Sequence, residues 1–200
     1  MRTRVHTALL ASVLAVSGCT SAEQSTTSTS PSPSPSEARY ALTPQICSQI
    51  DFSWLDRVIP VPPTGEVNPR NWFEPANFMY TGGIQCMRTH ESAERKGAVV
   101  TVGLATYKSA EGARLAYDTR LVKQTTEVSL PGIEQVSHAH DDDSERLYVR
   151  DGNLFVEVVV LPLGDRTTFA QAGMTEGKVI PAVEELAARV IERLRSGVPA

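Results

Sequence analysis

From Val183 to Leu194 the apolar residues Val183, Leu186, Ala187, Val190, Ile191 and Leu194 recur three and four positions apart, the spacing that gathers side chains on one face of an α-helix. Pro181 stands just ahead of this run, where its missing N–H needs no partner, and predicts the helix start. Glu184 and Glu185 early, Arg193 and Arg195 late, and Gly197 after them agree with the helix dipole and a glycine stop. A second helix is predicted from Ser109, a capping residue, to about Gln124. Its inner face of Ala110, Ala113, Ala116, Tyr117 and Leu121 is small enough to approach a sheet closely. A shorter one starts at Thr43-Pro44 and carries Ile46, Cys47 and Ile50 on one side.

Between the helices the period changes to two. Residues 84–90 read as a strand and 98–107 as another, with Val99-Val100-Thr101-Val102 apolar on both faces as in a central strand. Residues 91–97 form the turn between them. Residues 147–150 and 153–161 flank Asp151-Gly152, a dipeptide suited to a two-residue type I′ turn, and predict a hairpin. Five prolines (Pro60, Pro62, Pro63, Pro69, Pro75) and three glycines (Gly65, Gly82, Gly83) lie between positions 60 and 83, and predict a long irregular segment. Helix, strands, helix, strands, helix is the order of an α+β fold: a mostly antiparallel β-sheet with helices packed on one face.

The first 36 residues follow other rules. Arg2 and Arg4 precede an apolar run from Ala8 to Val16, which is shorter than the ~20 residues that cross a bilayer as a helix, and Val16-Ser17-Gly18 lead into Cys19. This is an export signal over residues 1–18, and its cysteine makes it resemble the lipobox of bacterial lipoproteins, which implies diacylglycerol on Cys19. Two acyl chains hold a protein on a membrane where one binds only marginally. Residues 20–36 are nearly all Ser, Thr and Pro, ending in Pro31, Pro33 and Pro35, and cannot form a core. Residues 19–36 are therefore expected to be a lipidated, disordered tether, and 37–200 a single domain. The chain has three cysteines, so lipidation of Cys19 leaves Cys47 and Cys86 as one pair. In an oxidising compartment a disulfide is the expected state, with two buried thiols as the alternative.

In order along the chain, Leu42-Thr43-Pro44 leading to Cys47, Cys86 on a strand, and the strand and helix of 98–124 form a set of landmarks. Pro131-Gly132-Ile133, the Asp151-Gly152-Asn153 hairpin and the closing helix complete it. The set resembles a family of actinobacterial cell-envelope lipoproteins carrying a domain of unknown function. It is more distantly similar to the extracellular sensor domain of mycobacterial receptor Ser/Thr kinases. Fifteen Arg against four Lys point the same way, towards a genome rich in G and C. The resemblance implies no reaction, and implies a domain on the outer face of the cell membrane that binds a ligand or partner in a groove between sheet and helices.

Charge and motifs narrow the chemistry. With 23 acidic and 19 basic residues the net charge is -4, the wrong sign for a nucleic-acid partner. No GxSxG, HExxH or GxxxxGK[ST] motif occurs. No cofactor and no enzymatic activity are expected. His138 and His140, at i and i+2 before Asp141-Asp142-Asp143, would point the same way on a strand and are metal-site candidates. The alternative for this run is a solvated loop. Trp72, Phe73, Phe78 and Tyr80, with Met79, are candidates for contact with an apolar ligand, or else a lid over core. Arg146 and Arg150 read as a solvated sheet edge. The expectation is a monomeric, non-enzymatic, sensor-like module that binds an envelope protein or a small molecule. Its alternatives are a carrier of lipid or other apolar ligand, and a metal-binding envelope protein.

Overall fold

A computed structural model of the chain describes residues 40–72, 79–121, 125–141, 143–164 and 167–197. Its elements are α1 (Ile46–Gln49), α2 (Ser53–Asp56), β1 (Asn68–Asn71), β2 (Tyr80–Glu91), β3 (Gly97–Tyr107), α3 (Ala110–Arg120), β4 (Thr125–Val128), β5 (Gln135–Asp141), β6 (Ser144–Asp151), β7 (Leu154–Pro162) and α4 (Glu176–Ser196). The seven strands form one sheet in the order β1-β2-β3-β7-β6-β5-β4, and every neighbouring pair is antiparallel. Three strands run as a meander to β3, α3 carries the chain to the far edge at β4, and a second meander returns to place β7 beside β3. The expected α+β class and antiparallel sheet are both present.

The helices, however, do not share one face. Side chains alternate along a strand, so Val156, Val158 and Val160 of β7 join Val100, Val102 and Leu104 of β3 under α1, α2 and α4. Phe155, Ala105 and Tyr107 point the other way and pack with Ala113, Ala116 and Tyr117 of α3. The one-face expectation fails because the connection from β3 to the opposite edge has to cross a face of the sheet, and α4 occupies the other. The run at Val99 to Val102, apolar on both sides, already carried this information. Ser109 caps α3 as expected, its hydroxyl accepting from Gly112 N–H at 3.3 Å.

Three boundaries move. Helix α4 begins at Glu176, so Pro181 lies within it and not at its start. Thr175 starts the helix instead, its carbonyl accepting from Lys178 and Val179 N–H. Asp151 pairs with Leu154, so the β6–β7 turn is Gly152-Asn153, and of these two only Gly152 has positive φ, at 57°. That is the pattern of a type II′ turn, with glycine first, and not of the expected type I′. The shift follows from burial of Asp151, which is held inside β6 by Arg195. The proline-rich stretch also contains β1, a four-residue edge strand in which Pro69 faces Cys86. An edge strand tolerates a residue that cannot donate, and this is what the expectation of irregular structure missed.

Cys47 and Cys86 are joined, with Cα atoms 5.2 Å apart, so the bond fastens α1 to β2. A polar knot performs a similar task at the C-terminal end of α4. Arg195 Nη2 donates to Asp151 Oδ2 at 2.7 Å and to the Gly132 carbonyl at 2.6 Å, and the Tyr40 hydroxyl also donates to Asp151. Asn153 Oδ1 accepts from Tyr40 N–H at 2.9 Å. Burial, and then the bond to Asp151, push the Tyr40 phenol up to about 12.

Candidate functional site

Strand alternation on β5 sends Val136, His138 and His140 towards the α4 face and Ser137 and Ala139 towards α3. His140 pairs with Glu145 across the β5–β6 ladder, and His138 is its diagonal neighbour on that face. On α4, Glu176, Ile180 and Glu184 are spaced by four residues and line one stripe. These three elements bring two imidazoles and three carboxylates together.

Glu145 is 1% exposed and its two oxygens are divided between the rings: Oε1 is 2.6 Å from His138 Nδ1 and Oε2 is 2.9 Å from His140 Nδ1. The opposite nitrogens face α4, His138 Nε2 at 3.0 Å from Glu184 Oε1 and His140 Nε2 at 3.2 Å from Glu176 Oε1. A carboxylate only accepts, and a neutral imidazole has one N–H. His138, with a carboxylate oxygen bonded at each nitrogen, therefore forms both of its hydrogen bonds only as an imidazolium. Burial opposes the charge on His138, but Glu145 and Glu184 together outweigh it and raise its pKa above the ordinary value of 6.5. His140 also lies against Phe169, ring centroids 5.8 Å apart.

Beside this cluster is a cavity of about 320 Å³ between β4 and α4, lined by Thr126, Val128, His138, His140, Glu145, Ile180 and Glu184. Apolar Val128 and Ile180 form its wall and the acid–imidazole chain its floor. The two histidines do share a strand face, as their spacing predicts, but their rings meet at Glu145 and then separate towards carboxylates two helical turns apart. Among the described residues no group of three or more His, Cys, Asp and Glu side chains is placed to hold a metal ion. Nor do Asp141 and Asp143 serve the rings, and Asp142 lies outside the described residues. The carboxylates come from Glu145, Glu176 and Glu184, the last of them 46 positions from His138. Nothing in the sequence marks that pairing except the four-residue spacing of the two α4 glutamates about Ile180.

Trp72 and Tyr80 lie on the opposite face. Trp72 stands 5.9 Å from Phe155, centroid to centroid, and its ring covers Gly103, where even a Cβ would come within 2.5 Å of it. Tyr80 donates its hydroxyl to the Trp72 carbonyl and meets Tyr107 edge-on at 6.0 Å. Both therefore belong to the smaller core under α3. Phe73 and Phe78 lie outside the described residues, as does Cys19. Arg146 and Arg150 are not at an edge: β6 runs between β5 and β7, and the two arginines pair with Glu157 at 3.6 Å and Glu134 at 2.8 Å. His90 is fully buried. Its Nδ1 donates to the Val61 carbonyl at 2.8 Å and its Nε2 faces Asp56 at 3.2 Å, while Arg88 grips the same carboxylate at 2.8 Å.

No protein-family model matches the chain, and no curated protein matches it. Among solved structures, the extracellular domain of PknH from Mycobacterium tuberculosis superposes with a TM-score of 0.42 at 13% identity, over 76% of this chain and 97% of that one.

Proposed function

We propose that the protein is an exported, lipid-anchored binding module. Residues 1–18 direct export, Cys19 carries diacylglycerol, 19–36 form a tether, and the domain that follows binds an envelope partner or small ligand on the outer face of the cell membrane without transforming it. The observation that carries the reading is the Cys47–Cys86 disulfide, a bond that persists in oxidising compartments and is rare in the cytosol. It agrees independently with the positive, apolar and small-residue regions that precede Cys19. Among the described residues no helix is long and apolar enough to cross a membrane. The cavity between β4 and α4, polar on one side and apolar on the other, has the mixed character of a small-molecule site.

The test is metabolic labelling of the full chain with a radioactive fatty acid, comparing wild type with Cys19→Ser, followed by native mass spectrometry of the detergent-extracted protein. Label on the wild type and none on the variant supports the anchor, and a labelled variant or an unlabelled wild type removes it. A mass released on denaturation identifies the ligand. Turnover of an envelope substrate by the purified protein would overturn the non-enzymatic reading.

A further inference from the structure

We propose that His138 and Glu145 form a proton-operated latch, which binds the first half of α4 to the sheet through Glu184 when the His138 ring is charged and releases it when the ring is neutral. Geometry sets the stoichiometry. His138 lies between two carboxylates, its Nδ1 2.6 Å from Glu145 and its Nε2 3.0 Å from Glu184, and these two hydrogen bonds consume both N–H groups of an imidazolium ion. Removal of either proton turns one contact into a lone pair facing an oxygen anion. Which contact breaks is decided by burial: Glu145 is 1% exposed and has no water to replace its donors, whereas the side chain of Glu184 is 29% exposed. The remaining proton therefore stays on Nδ1, and the link to α4 is the one lost.

The charged and titratable groups facing the rings are Glu145 from β6 and Glu176 and Glu184 from α4. Strand β4 contributes Thr126 and Val128, which carry no charge, and Phe169 supplies a ring face. Among the described residues, no lysine or arginine is ion-paired with Glu145, Glu176 or Glu184. The backbone beneath Glu184 is also built to yield, because Pro181 lies inside α4 and removes one of the hydrogen bonds that would tie the segment Glu176–Ile180 to the remainder of the helix. Release of Glu184 thus loosens the wall of the cavity between β4 and α4 and leaves the rest of α4 seated through Leu186, Val190 and Ile191.

Amide hydrogen exchange on the full chain, read by mass spectrometry and corrected for intrinsic base catalysis, tests this between pH of about 5 and about 8. Peptides covering 176–184 are expected to lose protection by about tenfold or more across that range, the equivalent of one pKa unit. Peptides from α3 are expected to hold constant. The Glu176→Gln/Glu184→Gln variant changes exposed groups, keeps the buried Glu145, and is expected to exchange at the fast rate at both pH values. Equal protection of 176–184 across the range overturns the latch, and so does a variant that retains the wild-type transition. Nitrogen-15 shifts of the His138 ring give a second readout: an imidazole already neutral at the lower pH overturns it as well.

Discussion

Asp151 Oδ2 accepts from Arg195 Nη2 at 2.7 Å, and this one contact ties the turn between β6 and β7 to the last turn of α4. The aspartate is 1% exposed and the arginine side chain 36%, so loss of the arginine leaves a buried carboxylate with only the Tyr40 hydroxyl against its charge. Arg195→Ala is expected to cost about 2–3 kcal/mol, the lower part of the range for breaking a buried pair because the arginine is partly solvated. Urea unfolding of the variant checks it, and adding Asp151→Asn is expected to cost less than the sum of the two single changes.

The disulfide spans 39 positions and closes the chain between α1 and β2. In the chain-entropy model a loop of that length contributes about 4 kcal/mol. Cys47→Ser/Cys86→Ser is expected to shift the urea midpoint down by the corresponding amount, and dithiothreitol is expected to do the same to the wild type and nothing to the variant. Coincident unfolding curves with and without reductant in the wild type would disprove the contribution.

The Trp72 ring rests on Gly103, where a Cβ would come within 2.5 Å of it. Gly103→Ala is therefore expected to push the ring from β3, weaken its contact with Phe155 and Arg120, and destabilise the domain by about 1–3 kcal/mol. The readout is tryptophan emission, in a Trp54→Phe background to leave a single reporter: it moves to longer wavelength when the ring becomes wetter, and an unshifted spectrum would contradict the packing.

Protonation of His138 is worth more in the folded state than in the unfolded one, since its folded pKa lies above 6.5. A raised folded value means that this stability is fully present below the unfolded pKa and is lost as pH rises through the folded one. The urea midpoint is expected to fall on the alkaline side of 6.5, and Glu184→Gln, which removes one of the two carboxylates on the ring, is expected to start that fall at lower pH. A midpoint that rises over the same interval contradicts the sign.

The Tyr40 phenol, raised to about 12, stays protonated well beyond the range of a free tyrosine. Its ionisation followed by ultraviolet absorbance is expected to lag behind that of exposed phenols, and the folded domain is expected to lose stability as pH passes from 10 towards 12. Tyr40→Phe keeps the ring and is expected to remove one phenol from the late-ionising set, which burial makes Tyr117 and Tyr148 share.

Local pattern carried the fold a long way. The apolar run of β3, the capped α3, the three-and-four spacing of α4 and the pairing of Cys47 with Cys86 are all readable because each depends on neighbours in sequence or on a count of cysteines. What escaped detection depends on distant neighbours. Pro181 marks a helix start by local rules and sits inside α4 because Thr175 begins the helix earlier. Asp151-Gly152 has the composition of a type I′ turn, and the turn moves by one residue because Arg195, 44 positions away, holds Asp151 in the strand. For the site, the shared face of His138 and His140 follows from strand alternation, but their partners Glu184 and Glu176 lie on a different element, where no periodicity links them to β5.

The position of β7 between β3 and β6 has a consequence for how this chain acquires its shape. As residues become available in order from the N-terminus, the first three strands and the next three each present an open hydrogen-bonding edge in the middle of the future sheet, and neither edge is covered until Leu154–Pro162 arrives. The two halves are joined by their final strand, so every fragment ending before it carries two sticky borders, and the nascent protein depends on prompt completion or on a holdase to reach its folded state without pairing to a neighbour.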